Sequence, residues 1–196
     1  MHTVLEFFKI GIGPSSSHTI GPISASRKFV SFLKHKKVFG EIDSIKVELF
    51  GSLALTGKGH GTDIAIKLGL MNVRPDDVRK NDLLLASKEN FDMKLGGIKL
   101  INFSDTDISY IKKPLKYHPN GIRFIAYSNG SELDNRTYYS IGGGFVVTEK
   151  NAKKVDKFLL KFLKKQKKSL LIAPMKYGIV SGGKKIRSTI IFDTGK

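Results

Sequence analysis

Gly13-Pro14-Ser15-Ser16-Ser17-His18-Thr19 is the densest gathering of chemically capable side chains, with four hydroxyls and an imidazole just ahead of a helical stretch. The first backbone N–H groups of a helix lack intrahelical partners and carry the positive end of its dipole, so the place suits a carboxylate or phosphate. Capping by Ser17 or Thr19 would account for one hydroxyl. The remainder, beside His18, point to binding. A second cluster, His60-Gly61-Thr62-Asp63, also opens a helix. Glycine lets backbone approach a ligand closely, and His60 with Asp63 suits a base and its orienting partner if the fold joins them, while Thr62 or Asp63 also suits an N-cap. His118-Pro119-Asn120-Gly121 reads as a turn entering a strand. Gly142-Gly143-Gly144 interrupts another strand and so marks a bulge or a close approach to the backbone.

Other chemistries find no support. Gly51 to Gly59 has one residue too many before its Gly-Lys pair, and lacks the following Ser or Thr, to be a phosphate-binding P-loop. The 196 residues include no cysteine, so neither a disulfide nor a thiolate-held metal can be built from this chain. The histidines at 2, 18, 35, 60 and 118 have no local metal-binding spacing. The net charge of +17 is uneven: residues 1–149 hold 20 basic against 15 acidic side chains, and residues 150–196 hold 14 against 2. Six of the 34 basic residues are arginine, which leaves few forks for reading bases or phosphates, so no nucleic-acid partner is expected. No apolar run of about 18 residues spans a bilayer and the N-terminus lacks the look of a secretory signal, which makes the expected location cytoplasmic.

The elements that must hold these residues follow from periodicity. Pro22 to His35 has helical spacing, Ser44 to Phe50 alternates as a half-buried strand, and Asp63 to Leu68 continues the glycine-rich loop as a helix. Arg74 to Asn90 reads as short helix and loop, and Ile98 to Phe103, Ile122 to Tyr127 and Tyr138 to Val147 read as strands. The predicted fold is α/β (α+β). A composition shift at Glu149 divides the chain into a domain over 1–149 and a Lys-rich tail over 150–196. Asn151 to Lys168 sets Val155, Phe158, Leu159 and Phe162 on one face against lysines, a basic amphipathic helix, and the segments 169–173 and 186–192 suit a hairpin.

Phe7 to Thr19 (FFKIGIGPSSSHT), Leu49 to Asp63 (LFGSLALTGKGHGTD) and Tyr138 to Phe145 (YYSIGGGF) together resemble the N-terminal β domain of the iron-sulfur L-serine dehydratases of bacteria, in order and spacing. The likeness runs from residue 1 to about 148 and stops where the tail begins. It implies deamination of L-serine to pyruvate and ammonia, with a [4Fe-4S] cluster on a catalytic domain that nothing here resembles. It also implies a fold similar to the allosteric substrate-binding domain of phosphoglycerate dehydrogenases. By the same resemblance Ser15, Ser16, Ser17, Thr19 and Thr62 bind the substrate and Asn120 and Gly143 line its pocket, while His60 and His18 are the proton-transfer candidates, His60 first, and Asp63 orients His60 or the substrate ammonium. The expected partners are L-serine and a separate cysteine-bearing α subunit, or a second copy in a homodimer. Two other readings compete: a non-catalytic remnant or small-acid-binding module, and a basic protein that uses its tail on nucleic acid or membrane surfaces.

Overall fold

A computed structural model describes residues 13–154, which belong to one compact unit. The expected tail hairpin lies outside the described residues, as does the tail helix from residue 155 onward. Residues 149–154 are helical, with Lys153 paired to Glu149 across one turn. The described part is a mixed α/β domain.

Its frame is a five-stranded sheet in the order β4-β1-β5-β6-β7, formed by β1 (Ser44–Gly51), β4 (Ile108–Ile111), β5 (Asn120–Ser128), β6 (Ser131–Ser140) and β7 (Val146–Thr148). β1 and β4 are parallel and the other neighbours antiparallel. In β1 the expected alternation holds, with Ile45, Val47 and Leu49 buried against Lys46 exposed. α1 (Ile20–His35) lies on this sheet through Phe29, whose ring stacks on that of Phe124 at 5.1 Å between centroids. A separate hairpin, β2 (Asn90–Leu95) and β3 (Lys99–Ser104), sends Phe91, Met93, Leu95, Ile101 and Phe103 into the same core.

Several elements differ from the sequence reading. β2 and β4 join the predicted strands, and the helical part of 74–90 narrows to α4 (Lys80–Ala86). A five-residue helix, α2 (Ser52–Thr56), follows β1, a length too short to show periodicity. The stretch from Tyr138 to Val147 is the end of β6, a turn and β7, with Ser140 opposite Val146. Its glycines 142, 143 and 144 have φ of 96°, 57° and 75°, and the turn closes through Ile141 N–H to Phe145 O (3.1 Å) and Phe145 N–H to Gly142 O (2.9 Å). Left-handed backbone at three successive positions explains the glycine run, which forms a hairpin corner in place of a bulge.

α3 (Thr62–Leu70) crosses α1 at Gly69, where a β-carbon would stand 2.5 Å from both Ile23 O and Ser26 Cβ. Because one of those atoms is helix backbone, Gly69→Ala is expected to destabilise the domain by about 1–3 kcal/mol through overpacking, despite alanine's better helix propensity. Urea unfolding checks this. A midpoint equal to or above that of the parent would contradict so close a crossing.

Candidate functional site

The sheet register brings the turn before β5 and the end of β6 to one end of the sheet. Gly51, the last residue of β1, pairs with Asn120, the first of β5, and Gly121 pairs with Tyr139 beside the end of β6. The first turn of α1 comes to the same end, because the Ser140 hydroxyl donates to Ser17 O at 2.8 Å. Gly21 makes this approach possible, since a β-carbon there would lie 2.0 Å from Ser140 Oγ.

His18 is the centre of the cluster and is buried. Its Nδ1 meets the hydroxyls of Ser17 at 3.0 Å and Ser15 at 3.2 Å, which are themselves 3.1 Å apart. Its Nε2 meets Thr56 Oγ1 at 3.0 Å and, more distantly, Ser52 Oγ at 3.4 Å. The half-buried His60 ring is 4.9 Å away between centroids, and its Nδ1 lies 2.8 Å from Thr56 O. A carbonyl oxygen only accepts, so Nδ1 of His60 carries the hydrogen and Nε2 the lone pair that a base needs.

The other expected site residues divide by what their polar atoms already do. Thr19 is the N-cap residue of α1, yet its hydroxyl donates to Ser15 O (2.9 Å) in place of a cap bond. Buried Thr62 donates to His18 O at 2.7 Å. Both hydroxyls brace the loop. The start of α1 also offers less to an anion than its sequence implies, because the Gly21 N–H is bonded to Ser16 O (2.9 Å) and Pro22 has none. Ser16 Oγ makes no hydrogen bond among the described residues and is half-buried. Asp63 accepts from the Ile64 N–H (2.9 Å), and no hydrogen bond or ion pair joins it to His60. Asn120 donates Nδ2–H to Ser140 O (3.2 Å), while its buried Oδ1 has no partner among the described residues. Gly143 sits in the β6–β7 corner, and His118 Nδ1 accepts from the Asn120 N–H at 3.1 Å. Ser52, Thr56 and Ser140 were not singled out in the sequence. The spacing of Ser52 and Thr56 by four, one helical turn, was the available signal.

Burial, reinforced by neighbouring His60 and opposed by the Ser52 backbone, holds His18 below the ordinary imidazole pKa, and burial lowers His118 likewise. In the unfolded chain these groups protonate as pH falls through about 6.5, whereas the folded ones stay neutral to lower pH. Proton uptake then favours unfolding, so stability is full above about 6.5 and declines as pH drops toward the folded values. Urea midpoints at pH 7.5 and 5.5 are expected to show that decline, and a His18→Asn, His118→Asn double variant is expected to flatten it. Equal slopes for parent and variant would count against imidazoles held neutral by full or partial burial.

The [4Fe-4S] group that the resemblance implies does not fit these residues. The chain has no cysteine, and among the described residues no three His, Asp or Glu side chains gather to hold a metal ion. No helix among the described residues is long and apolar enough to cross a membrane.

Comparison with known proteins gives one coherent result. A family model described as serine dehydratase beta chain matches residues 3–151. An L-serine dehydratase of Streptomyces coelicolor is 42% identical over 153 residues, covering 75% of this chain and 34% of that protein. One from Helicobacter pylori is also 42% identical over 153 residues, covering 76% of this chain and 33% of its own length. L-serine dehydratase 1 of Escherichia coli is 37% identical over 156 residues, covering 77% and 34%. The chain thus spans about a third of the length of the curated relatives that it matches.

Proposed function

Since the chain belongs to the serine dehydratase β-chain family, we propose that it supplies the substrate-facing β part of a cytoplasmic enzyme that deaminates L-serine to pyruvate and ammonia. The reading includes a separate cysteine-bearing α polypeptide that holds the [4Fe-4S] cluster, and a β fold of the type found in the allosteric domain of phosphoglycerate dehydrogenases. What carries it is the meeting of two imidazoles and a row of serine hydroxyls, within the residues 3–151 that the family model matches.

In the reaction L-serine loses its α-proton and β-hydroxyl as water, and the resulting aminoacrylate takes up water through its imine to release ammonia and pyruvate. The chain's own part is binding and proton transfer. Ser16, with Ser15 and Ser17 beside it, donates to the substrate carboxylate. His60 Nε2 receives the α-proton. Asp63, whose expected bond to His60 is absent, faces the substrate ammonium, and Asn120 and Gly143 wall the pocket.

Ser16→Ala is expected to weaken L-serine binding about tenfold, the worth of one hydrogen bond to a charged group, and to leave stability unchanged. Calorimetry on the assembled protein measures both. An unchanged affinity would remove Ser16 from the carboxylate site.

The test of the whole reading is anaerobic iron-sulfur reconstitution followed by pyruvate formation from L-serine, with the chain alone and with material co-purified from its native cells. Activity confined to the co-purified sample, together with a cysteine-bearing partner, is the expected result. Silence in both from folded protein would reject a catalytic role. L-serine binding by the chain alone would then favour a small-acid-binding module.

A further inference from the structure

Thr56 touches both His18 and His60, one through its side chain and the other through its backbone, and among the described residues no carboxylate is hydrogen-bonded to either. Its carbonyl receives His60 Nδ1 at 2.8 Å, which leaves the lone pair of His60 on Nε2. Its hydroxyl has one proton, and that proton is donated to Ser52 O, one helical turn back, at 3.0 Å. Toward His18 Nε2, at 3.0 Å, the same oxygen therefore accepts, so His18 carries its hydrogen on Nε2. Nδ1 of His18 is then an acceptor, and the hydroxyl protons of Ser15 and Ser17 are drawn into the cluster, toward that nitrogen or toward each other.

We propose that Thr56 is a positioning residue that fixes the two imidazoles in opposite tautomers, His18 as Nε2–H and His60 as Nδ1–H. It deepens the functional reading above and rests on it only where the His60 lone pair is assigned to the substrate's α-proton. The tautomers follow from hydrogen-bond logic and need no turnover. Held this way, His60 directs its basic nitrogen away from Thr56, and His18 keeps Ser15 and Ser17 oriented while Ser16 stays free to donate.

The test is long-range ¹H–¹⁵N NMR of the histidine-labelled full chain at pH 8, with His18→Gln and His60→Gln used to assign the signals. The parent is expected to show Nε2–H for His18 and Nδ1–H for His60. Thr56→Val removes the hydroxyl and keeps the carbonyl, so it is expected to release His18 into a tautomer mixture and leave His60 unchanged. Thr56→Ser is expected to restore the parent pattern. In an active assembly Thr56→Val is expected to lower kcat about tenfold and Thr56→Ser to recover most of it. A parent spectrum with either tautomer reversed overturns the proposal, and that spectrum decides alone should Thr56→Val fail to fold. An unchanged His18 signal in folded Thr56→Val also overturns it. The expected tautomers in an assembly that cannot turn over L-serine would support the Thr56 assignment and reject the functional reading, so the two failures are distinguishable.

Discussion

In the two-chain assembly proposed above, His60→Ala is expected to reduce kcat for the proposed L-serine deamination by about 10²–10⁴-fold, the range for removal of a general base. The reason lies in the imidazole's surroundings. Its Nδ1 is tied to Thr56 O at 2.8 Å, which puts the lone pair of the neutral ring on Nε2, and the ring is half-buried rather than enclosed. His18, by contrast, has hydroxyls on both ring nitrogens and is buried, so it is built to hold others in place. His18→Ala is therefore expected to act through KM and stability more than through kcat. Steady-state kinetics with both variants separates the roles, and an unaltered kcat for His60→Ala beside a collapsed one for His18→Ala would transfer the base to His18.

Gly51→Ala is expected to destabilise the domain by about 2–5 kcal/mol, combining a strained backbone with overpacking. Gly51 has φ 57° and ψ −120°, a conformation that essentially requires glycine, and a β-carbon there would stand 2.4 Å from Pro119 O. That same carbonyl accepts the Ser52 N–H at 3.1 Å, so the strain falls on the bond that starts α2. The variant is expected to disturb the histidine pair as well, since α2 brings both Ser52 and Thr56 to His18. Urea unfolding gives the stability change, and the histidine NMR signals give the displacement. A loss below about 0.5 kcal/mol would mean that the β1–α2 corner tolerates a side chain and is not the rigid seat described.

Most of the framework was legible in the sequence, for reasons of period and composition. Ile45, Val47 and Leu49 alternate because one face of β1 is buried, and α1 repeats its apolar residues because one side of it lies on the sheet. The short elements were not legible. α2 has five residues and β4 has four, too few for either period to register. The strand expected through Tyr138 to Val147 turned out to be two, because φ preference at the three glycines is a property of each residue and leaves no mark on hydrophobic spacing.

By itself the sequence determined which chemistry was available: serine hydroxyls, two imidazoles near helix starts, no thiol, and motifs that place the chain in its family. Residue types and local spacing carry that information because they fix which atoms can donate, accept or ionise. The tertiary structure alone decided which of those atoms are free. The resemblance put Thr19 and Thr62 among the binding residues, and their hydroxyls close onto the Ser15 and His18 carbonyls. Asp63 is three residues from His60 in the chain, yet it is the Thr56 carbonyl that accepts from His60. A hydroxyl has one proton and a ring nitrogen one lone pair or one hydrogen, so each group's role depends on the neighbour that folding sets within about 3 Å of it.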